Sequence, residues 1–501
     1  MRIRWTALII IIVGIVAFAT RFFVMSRHGL ASVGAYDDGV YFAGALSFVH
    51  GLVPYQDFLL LHPPGVMLVS APFAWLAPAI GDAQAFIFAR VFFIFIGAVN
   101  AMLIALLLRR YGPGAMLSGG LVYALSYPAI YGERSVLLEP FGTTFLLLSL
   151  LVLVRARRLL TEKRAGETVR RVGFWFVMVG ALAALSVTFK IWYAPFVLVI
   201  IIFAGRGWWQ ALVGAVVAAD VVLLPFLFRA PDAMWRDVVL AQLGRPGDVV
   251  QHFGVRIGQI TGAKAGSVWV ISQISPPVLL AIVLALGVLA GTVTLFLRGA
   301  RIFVVFAVLA GLILLASPSF FQHYAVLTAM PLALMVGAMI GKFTQWAENA
   351  SKRWWRIPVA LAAATTVLIS GVLLVRPMQR QKPEHDPAQL IATLHSLPGC
   401  YATDMPSMLI LANRYTADLN KGCRIEVDPT GYGYVVPKPG NGLGRSDNPA
   451  FQRHFLAYLK RSDGYVFARG SSLGLDKPTQ QIVDEHKQLA KDGKYIIIST
   501  K

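Results

Sequence analysis

Along the chain, long apolar runs alternate with short polar ones. Apolar runs fall near Trp5–Phe23, Ala85–Leu108, Ala115–Tyr131, Glu139–Val154, Gly173–Phe189, Trp192–Ala204, Gln210–Phe228, Ser275–Leu297, Ile302–Ala316, Tyr324–Ile340 and Ile357–Val375. A helix needs ~20 apolar residues to cross the hydrocarbon core, and the shorter runs imply tilt or burial among neighbours. The pattern therefore predicts an all-α polytopic membrane domain of about eleven transmembrane helices, spanning residues 1–375. The start, MRIRWTALIIIIVGIVAFATRFF, has signal-peptide chemistry, but its apolar run is long enough to span and no small-residue cleavage site follows. It reads as a retained first helix. Between the first two spans lies a long loop, 25–84, whose apolar, aromatic stretch is too short to span and is expected as helix lying in the membrane interface.

After Val375 the pattern breaks. Residues 376–390, around VRPMQRQKPEHDP, read as a linker, and residues 391–501 as a small soluble α/β domain. DPAQLIATLHSL predicts a helix and KYIIIST a terminal strand. This part carries both cysteines, Cys400 and Cys423. One separated pair makes no zinc or redox motif. If the domain is exported a disulfide is expected, and otherwise two free apolar thiols.

Composition agrees with lipid as the solvent. Only 14% of residues are charged, against about 25% in soluble domains. The net charge of +20 invites a nucleic-acid reading, but its distribution opposes one. With the N-terminus in the cytoplasm, 18 basic residues before Arg376 fall inside, against 10 on the outer side. The inner set includes the run RARRLLTEKRAGETVRR and the stretch GKFTQWAENASKRWWR. This is the positive-inside signature, with basic groups against anionic lipid headgroups, and no nucleic-acid partner is implied. An odd number of spans then puts the C-terminal domain outside a cytoplasmic membrane.

Candidate chemistry collects in three outer loops. Asp37 and Asp38 open the interfacial stretch YDDGVYFAGALSFVHG. A carboxylate there can simply cap a helix and meet its dipole. In YGERSVLLEPFGTTF, Glu133, Arg134 and Glu139 stand at the membrane boundary, where charge is costly and is functional or paired. A salt bridge from Arg134 to either glutamate is the structural alternative. Lys190 interrupts two apolar runs, and His323–Tyr324 precede another. A snorkelling lysine or a hydrogen-bonded histidine would explain these singly. Asp220, inside the seventh run, has no assigned role. Taken together, carboxylates fit proton abstraction from a hydroxyl or coordination of a divalent metal, and the basic groups fit a phosphate at the lipid interface. Such a set describes transfer from a lipid-phosphate donor. Two other classes compete: a transporter or flippase of a lipid-linked sugar, for which midplane charges and paired repeats are expected, and a non-catalytic scaffold whose outer domain binds glycan.

At these motifs the chain resembles the GT-C membrane glycosyltransferases, most closely the branch with protein O-mannosyltransferases and lipid A aminoarabinose transferases. The motifs are the acidic pair Asp37-Asp38 before a helix, GLVPYQDF, HPPG with His62 where lysine is commoner, and Arg134 ahead of Glu139. Lys190 at an outer junction and the Tyr motif HYAVLTAMP follow, so the resemblance covers roughly the first 340 residues. It implies an inverting hexosyl- or pentosyltransferase that moves a sugar from a polyprenyl-phosphate donor to a lipid, glycan or protein hydroxyl. One of Asp37 and Asp38 would be the general base, with Asp37 favoured and Asp38 supporting it. Arg134, Lys190, His62, His323 and Tyr324 would hold the donor phosphate. Glu139 would position Arg134 or the acceptor, or share a metal, and Glu133 has no family counterpart. No cofactor is required, and a divalent metal is optional in that family.

Overall fold

A computed structural model describes residues 2–26, 29–161, 169–245, 251–262, 276–349, 356–380, 387–435 and 444–501. Parts of both inner basic stretches (162–168 and 350–355) and of the expected linker (381–386) lie outside the described residues.

The first ten helices are α1 (Arg2–Ser26), α2 (Tyr36–Val49), α3 (Gly65–Ile80), α4 (Asp82–Leu107), α5 (Pro113–Leu125), α6 (Tyr127–Glu133), α7 (Glu139–Thr161), α8 (Val169–Val187), α9 (Ala194–Ala204) and α10 (Trp208–Leu227). Helices Pro276–Leu295, Arg301–Ala316, Val326–Asn349 and Arg356–Arg380 complete the membrane part. Among the described residues, five helical stretches are long and apolar enough to cross a membrane, and several shorter apolar helices pack with them. The chain is a polytopic membrane protein. Its last membrane helix runs to Arg380 and the next helix begins at Ala388, so much of the expected linker is helical.

Most expected runs became helices, with three informative differences. The run Ala115–Tyr131 is two helices, α5 and α6, broken at the extended Ser126, since Pro128 lacks the N–H that would carry α5 on. Gly65–Ile80, within the loop read as interfacial, is a full apolar helix. And α2 is enclosed by protein instead of being left open on one face. Residues Asp38 to Ser47 are all buried, as an apolar helix without a polar face must be. It is sandwiched between the membrane helices and the C-terminal domain.

Buried polar groups pin the helices beneath it. Arg21 of α1 donates to Glu133 Oε2 at 3.0 and 2.6 Å, while Asn100 of α4 and Tyr123 of α5 donate to Oε1 at 2.6 and 2.7 Å. Asn100 also bonds the Pro140 carbonyl, and Thr144 bonds Asn100. A charge at this depth must be paired, and here it ties five helices together.

The C-terminal part holds a four-stranded sheet in the order β1-β2-β4-β3: β1 (Tyr401–Thr403), β2 (Gly464–Phe467), β3 (Gln488–Asp492) and β4 (Tyr495–Ser499). β1 pairs parallel with β2, and β4 runs antiparallel to both β2 and β3. The KYIIIST strand is β4, and DPAQLIATLHSL contains the helix Ala388–Ser396. Cys400 and Cys423 are disulfide-bonded across a 23-residue separation.

This domain is docked directly on α2 and α4. A Cβ at Gly39 would stand 2.9 Å from the Ser407 amide nitrogen, so glycine is what permits the approach. Ser47 and Tyr415 hydroxyls meet at 3.0 Å, the Thr416 amide donates to Asp82 at 2.9 Å, and the Ala83 amide donates to Asn413 at 3.0 Å.

Candidate active site

The chain enters α2 through Ala35, whose extended backbone makes Tyr36 the first helical residue and places both aspartates in the first turn. Their side chains then go different ways. Asp38 is fully buried, and its Oδ2 accepts from Arg90 Nη2 at 2.9 Å, from Arg90 Nε at 3.2 Å and from the Ser135 hydroxyl. Arg90 spends its remaining nitrogen on the Leu30 and Ser32 carbonyls at 2.6 and 2.8 Å. Asp38 thus binds α2 to α4 and to the segment before α2, and it does not line the cavity beside Asp37.

Asp37 does. It lines a cavity of about 500 Å³ together with Tyr41, His62, Tyr131, Arg245 and His323 from the membrane part, and Asp428, Arg445 and Arg469 from the C-terminal domain. Its Oδ2 lies 3.8 Å from His323 Nε2. Burial pushes the Asp37 carboxyl above its ordinary range, and the neighbouring His323 and Arg245 oppose that only in part. His62 also lines the cavity, its ring edge-on to Tyr41. Burial, then the cations Lys190 and Arg245, hold His62 well below the usual imidazole range, so it is neutral at physiological pH. Neutral His62 supplies hydrogen bonding rather than charge.

The remaining expected phosphate ligands are arranged in a chain beside the cavity. Lys190 Nζ is 2.8 Å from Glu139 Oε1, and both side chains are buried. The same ammonium lies 3.8 Å from the centre of the Tyr324 ring and 4.6 Å from that of Trp192. Tyr324 in turn accepts from Arg245 Nη1 at 3.3 Å. Tyr324 and Arg245 line a second, smaller cavity of about 210 Å³, so Arg245 stands on the wall between the two. Arg134 forms no ion pair with Glu133 or Glu139. Its guanidinium stacks 3.6 Å over the Tyr131 ring and donates to the Tyr131 carbonyl. Glu133 belongs to the Arg21 network described above.

Sequence reasoning missed the cations that face the cavity most directly. Arg245 follows a short π-helical segment, Trp235–Leu240, and its guanidinium packs over the Phe321 and Tyr434 rings. Its setting, LGRPGD, was a turn signal with an arginine inside it. Arg469 lies 4.3 Å over Tyr36, whose hydroxyl donates to Asp428 at 2.5 Å and accepts from the Thr430 amide at 3.1 Å. The buried carboxylate of Asp404 accepts from the Ala468 and Arg469 amides and fixes that turn. Among the described residues, no group of three or more His, Cys, Asp or Glu side chains is placed to hold a metal ion.

No family model matches the chain, and no curated protein matches it in sequence. Solved structures do share its fold. ArnT from Cupriavidus metallidurans, bound to undecaprenyl phosphate, superposes with a TM-score of 0.56 at 14% identity, covering 98% of this chain and 97% of that one. The Archaeoglobus fulgidus oligosaccharyltransferase in its apo form gives 0.61 at 12% identity, covering 97% and 73%. The Archaeoglobus fulgidus oligosaccharyltransferase AglB, in complex with an inhibitory peptide and a dolichol-phosphate, gives 0.59 at 10% identity, covering 99% and 74%. The fold is thus the GT-C fold, as the sequence resemblance implied.

Proposed function

We propose that this protein is an inverting glycosyltransferase that moves a sugar from a polyprenyl-phosphate donor to an acceptor hydroxyl, with Asp37 as the general base. The observation that carries the reading is the division of labour in the acidic pair. Asp38 is consumed by Arg90, while Asp37 points into a cavity walled by Arg245, His62 and His323. The shared GT-C fold with enzymes bound to undecaprenyl phosphate and dolichol-phosphate supports a lipid-phosphate donor. So does an apolar cavity of about 500 Å³, lined by Tyr127, Pro128, Ile260, Leu284, Val304 and Leu332 among others, one helical turn from Tyr131 in the reaction cavity. It offers an isoprenoid chain a path through the helices.

The step is a single displacement. The acceptor oxygen attacks the anomeric carbon, the bond from that carbon to the phosphate oxygen breaks, and the acceptor proton passes to an Asp37 oxygen. The leaving polyprenyl phosphate gains negative charge, which Arg245 stabilises with hydrogen bonding from His323, while Tyr324 holds Arg245 in place. His62, which also lines the cavity, is a neutral hydrogen-bond partner for the sugar or the acceptor. Lys190 acts through Tyr324 and Glu139 rather than on the phosphate directly. The sidedness of the basic residues supports an N-terminus in the cytoplasm, with the cavity and C-terminal domain on the outer face of the membrane. No step is assigned to a metal.

The transporter reading is weaker. Its one candidate, Asp220, is exposed on the outside of α10 and does not line the reaction cavity. The discriminating experiment supplies membranes holding the full chain with a panel of polyprenyl-phosphate sugars. Release of free polyprenyl phosphate together with a glycosylated product is expected. Movement of an intact lipid-linked sugar across the bilayer, with no release, would overturn the assignment.

A further inference from the structure

A second charged cavity lies at the other end of the helix bundle. The helices themselves give its depth. α7 begins at Glu139, beside Lys190, and Arg157 comes eighteen residues later, about 27 Å along the helix at 1.5 Å per residue. That is close to the ~30 Å thickness of the hydrocarbon core, so Arg157 stands at the opposite headgroup level. α4 agrees, since its Asp82 end is held by the C-terminal domain while its other end leads into Arg109 and Arg110.

The cavity, of about 310 Å³, is lined by Arg110, Arg157 and Arg158 and by apolar side chains including Leu150, Leu153, Ile302 and Phe303. Among the described residues of its lining none is acidic. Arg110 donates one nitrogen to the Gly299 carbonyl at 2.7 Å, and Arg157 donates one to the Phe203 carbonyl. A guanidinium carries five N–H donors, so both remain able to bind an anion. Both are also held by backbone, which fixes their direction. Among the described residues neither has a carboxylate partner. Arg110 and Arg157, of like sign on one pocket, repel one another, and that cost is recovered when an anion enters. Arginine's planar fork matches a phosphate bidentately.

We propose that this cavity binds the phosphate of an anionic membrane lipid, with the headgroup among Arg110, Arg157 and Arg158 and the start of its acyl chains against Leu150, Leu153, Ile302 and Phe303. The apolar wall and the headgroup depth favour a lipid phosphate over free phosphate. This inference is independent of the reaction assigned to the other face.

The test uses the full chain in neutral detergent, with native mass spectrometry to count retained lipids during titration with phosphatidylglycerol or phosphatidylcholine. The wild type should retain one phosphatidylglycerol more tightly than the rest. Arg110→Gln/Arg157→Gln should lose that preference by about thirtyfold, each basic residue at a membrane surface being worth about fivefold. Arg206→Gln/Lys342→Gln, which removes two exposed charges of the same sign, should keep it. Equal losses in the two double variants would mean a diffuse electrostatic film and would overturn the site. Inorganic phosphate should compete only weakly. Stabilisation of the wild type against heat by inorganic phosphate as strong as that by the lipid, and lost in the same variant, would make the ligand free phosphate. If the first double variant fails to fold, Arg110→Gln alone, an exposed position, should show a loss of about fivefold, and no loss there would refute the assignment.

Discussion

Replacing Asp38 by alanine should unfold the protein far more readily than replacing its neighbour Asp37. Asp38 and Arg90 are both wholly inaccessible and are joined by two hydrogen bonds at 2.9 and 3.2 Å. Removing the carboxylate leaves a guanidinium buried without a counter-charge. Breaking a buried pair in this way costs about 3–5 kcal/mol. The Ser135 hydroxyl loses its acceptor as well, worth about another 1 kcal/mol. Among the described residues Asp37 has no such hydrogen bond, with His323 Nε2 3.8 Å away, and Asp37→Ala should stay within about 1 kcal/mol of wild type. Denaturant unfolding of the detergent-solubilised chain, followed by tryptophan fluorescence, measures both. The double variant Asp38→Leu/Arg90→Met should recover most of the loss, because a buried ion pair replaced by apolar groups of similar size is near neutral. An Asp38→Ala cost below about 1 kcal/mol, or a double variant no better than the single, would refute the structural role given to Asp38.

Other outcomes follow from the same geometry. Cys400→Ser/Cys423→Ser should lower stability by about 3 kcal/mol, from the loop entropy of a 23-residue separation; an unchanged unfolding midpoint would contradict this. Arg245→Ala should weaken donor binding with little change in folding, read by titrating a polyprenyl-phosphate sugar against a fluorescent reporter; unchanged affinity would remove Arg245 from the phosphate site. The base must be ionised, and burial raises the Asp37 pKa above 3.8, so transfer should fall as pH drops through that raised value. Stability should move the other way, since a raised folded-state pKa favours the protonated form: Asp37's contribution is greatest below its unfolded pKa and is lost as pH rises through the folded one. A transfer rate that is flat down to the ordinary carboxylate pKa would show that Asp37 does not titrate in the reaction.

Much of the fold was legible because hydrophobic run length depends on local sequence and bilayer thickness alone. The spans ending near Leu108 and Phe189 and beginning near Ile302 sit within a few residues of α4, α8 and Arg301–Ala316. The terminal strand was legible from its β-branched run. α2 was located correctly, but its cover was not legible, because Ser407 and Tyr415 lie more than 360 residues away. The same distance effect separates the two aspartates. Both look alike in YDDG, and only Arg90, arriving from α4, decides which is buried. Glu133 had no readable role because its partners come from α1, α4 and α5. Arg245, Arg445 and Arg469 were missed since no periodicity marks a loop residue that faces a cavity only after a second domain docks. Lys190 and Glu139 were singled out individually, yet their pairing with each other needs the junction of α8 and α9 to fold back on α7.

The measurement that bears most directly on the account is sugar transfer from a polyprenyl-phosphate donor by wild type, Asp37→Asn and Asp38→Asn, each normalised to folded protein. Asp37→Asn should bind donor normally and transfer about 10²–10⁴-fold more slowly, while whatever Asp38→Asn loses should follow its folded fraction. Full transfer by folded Asp37→Asn would contradict the assignment of Asp37 as the base.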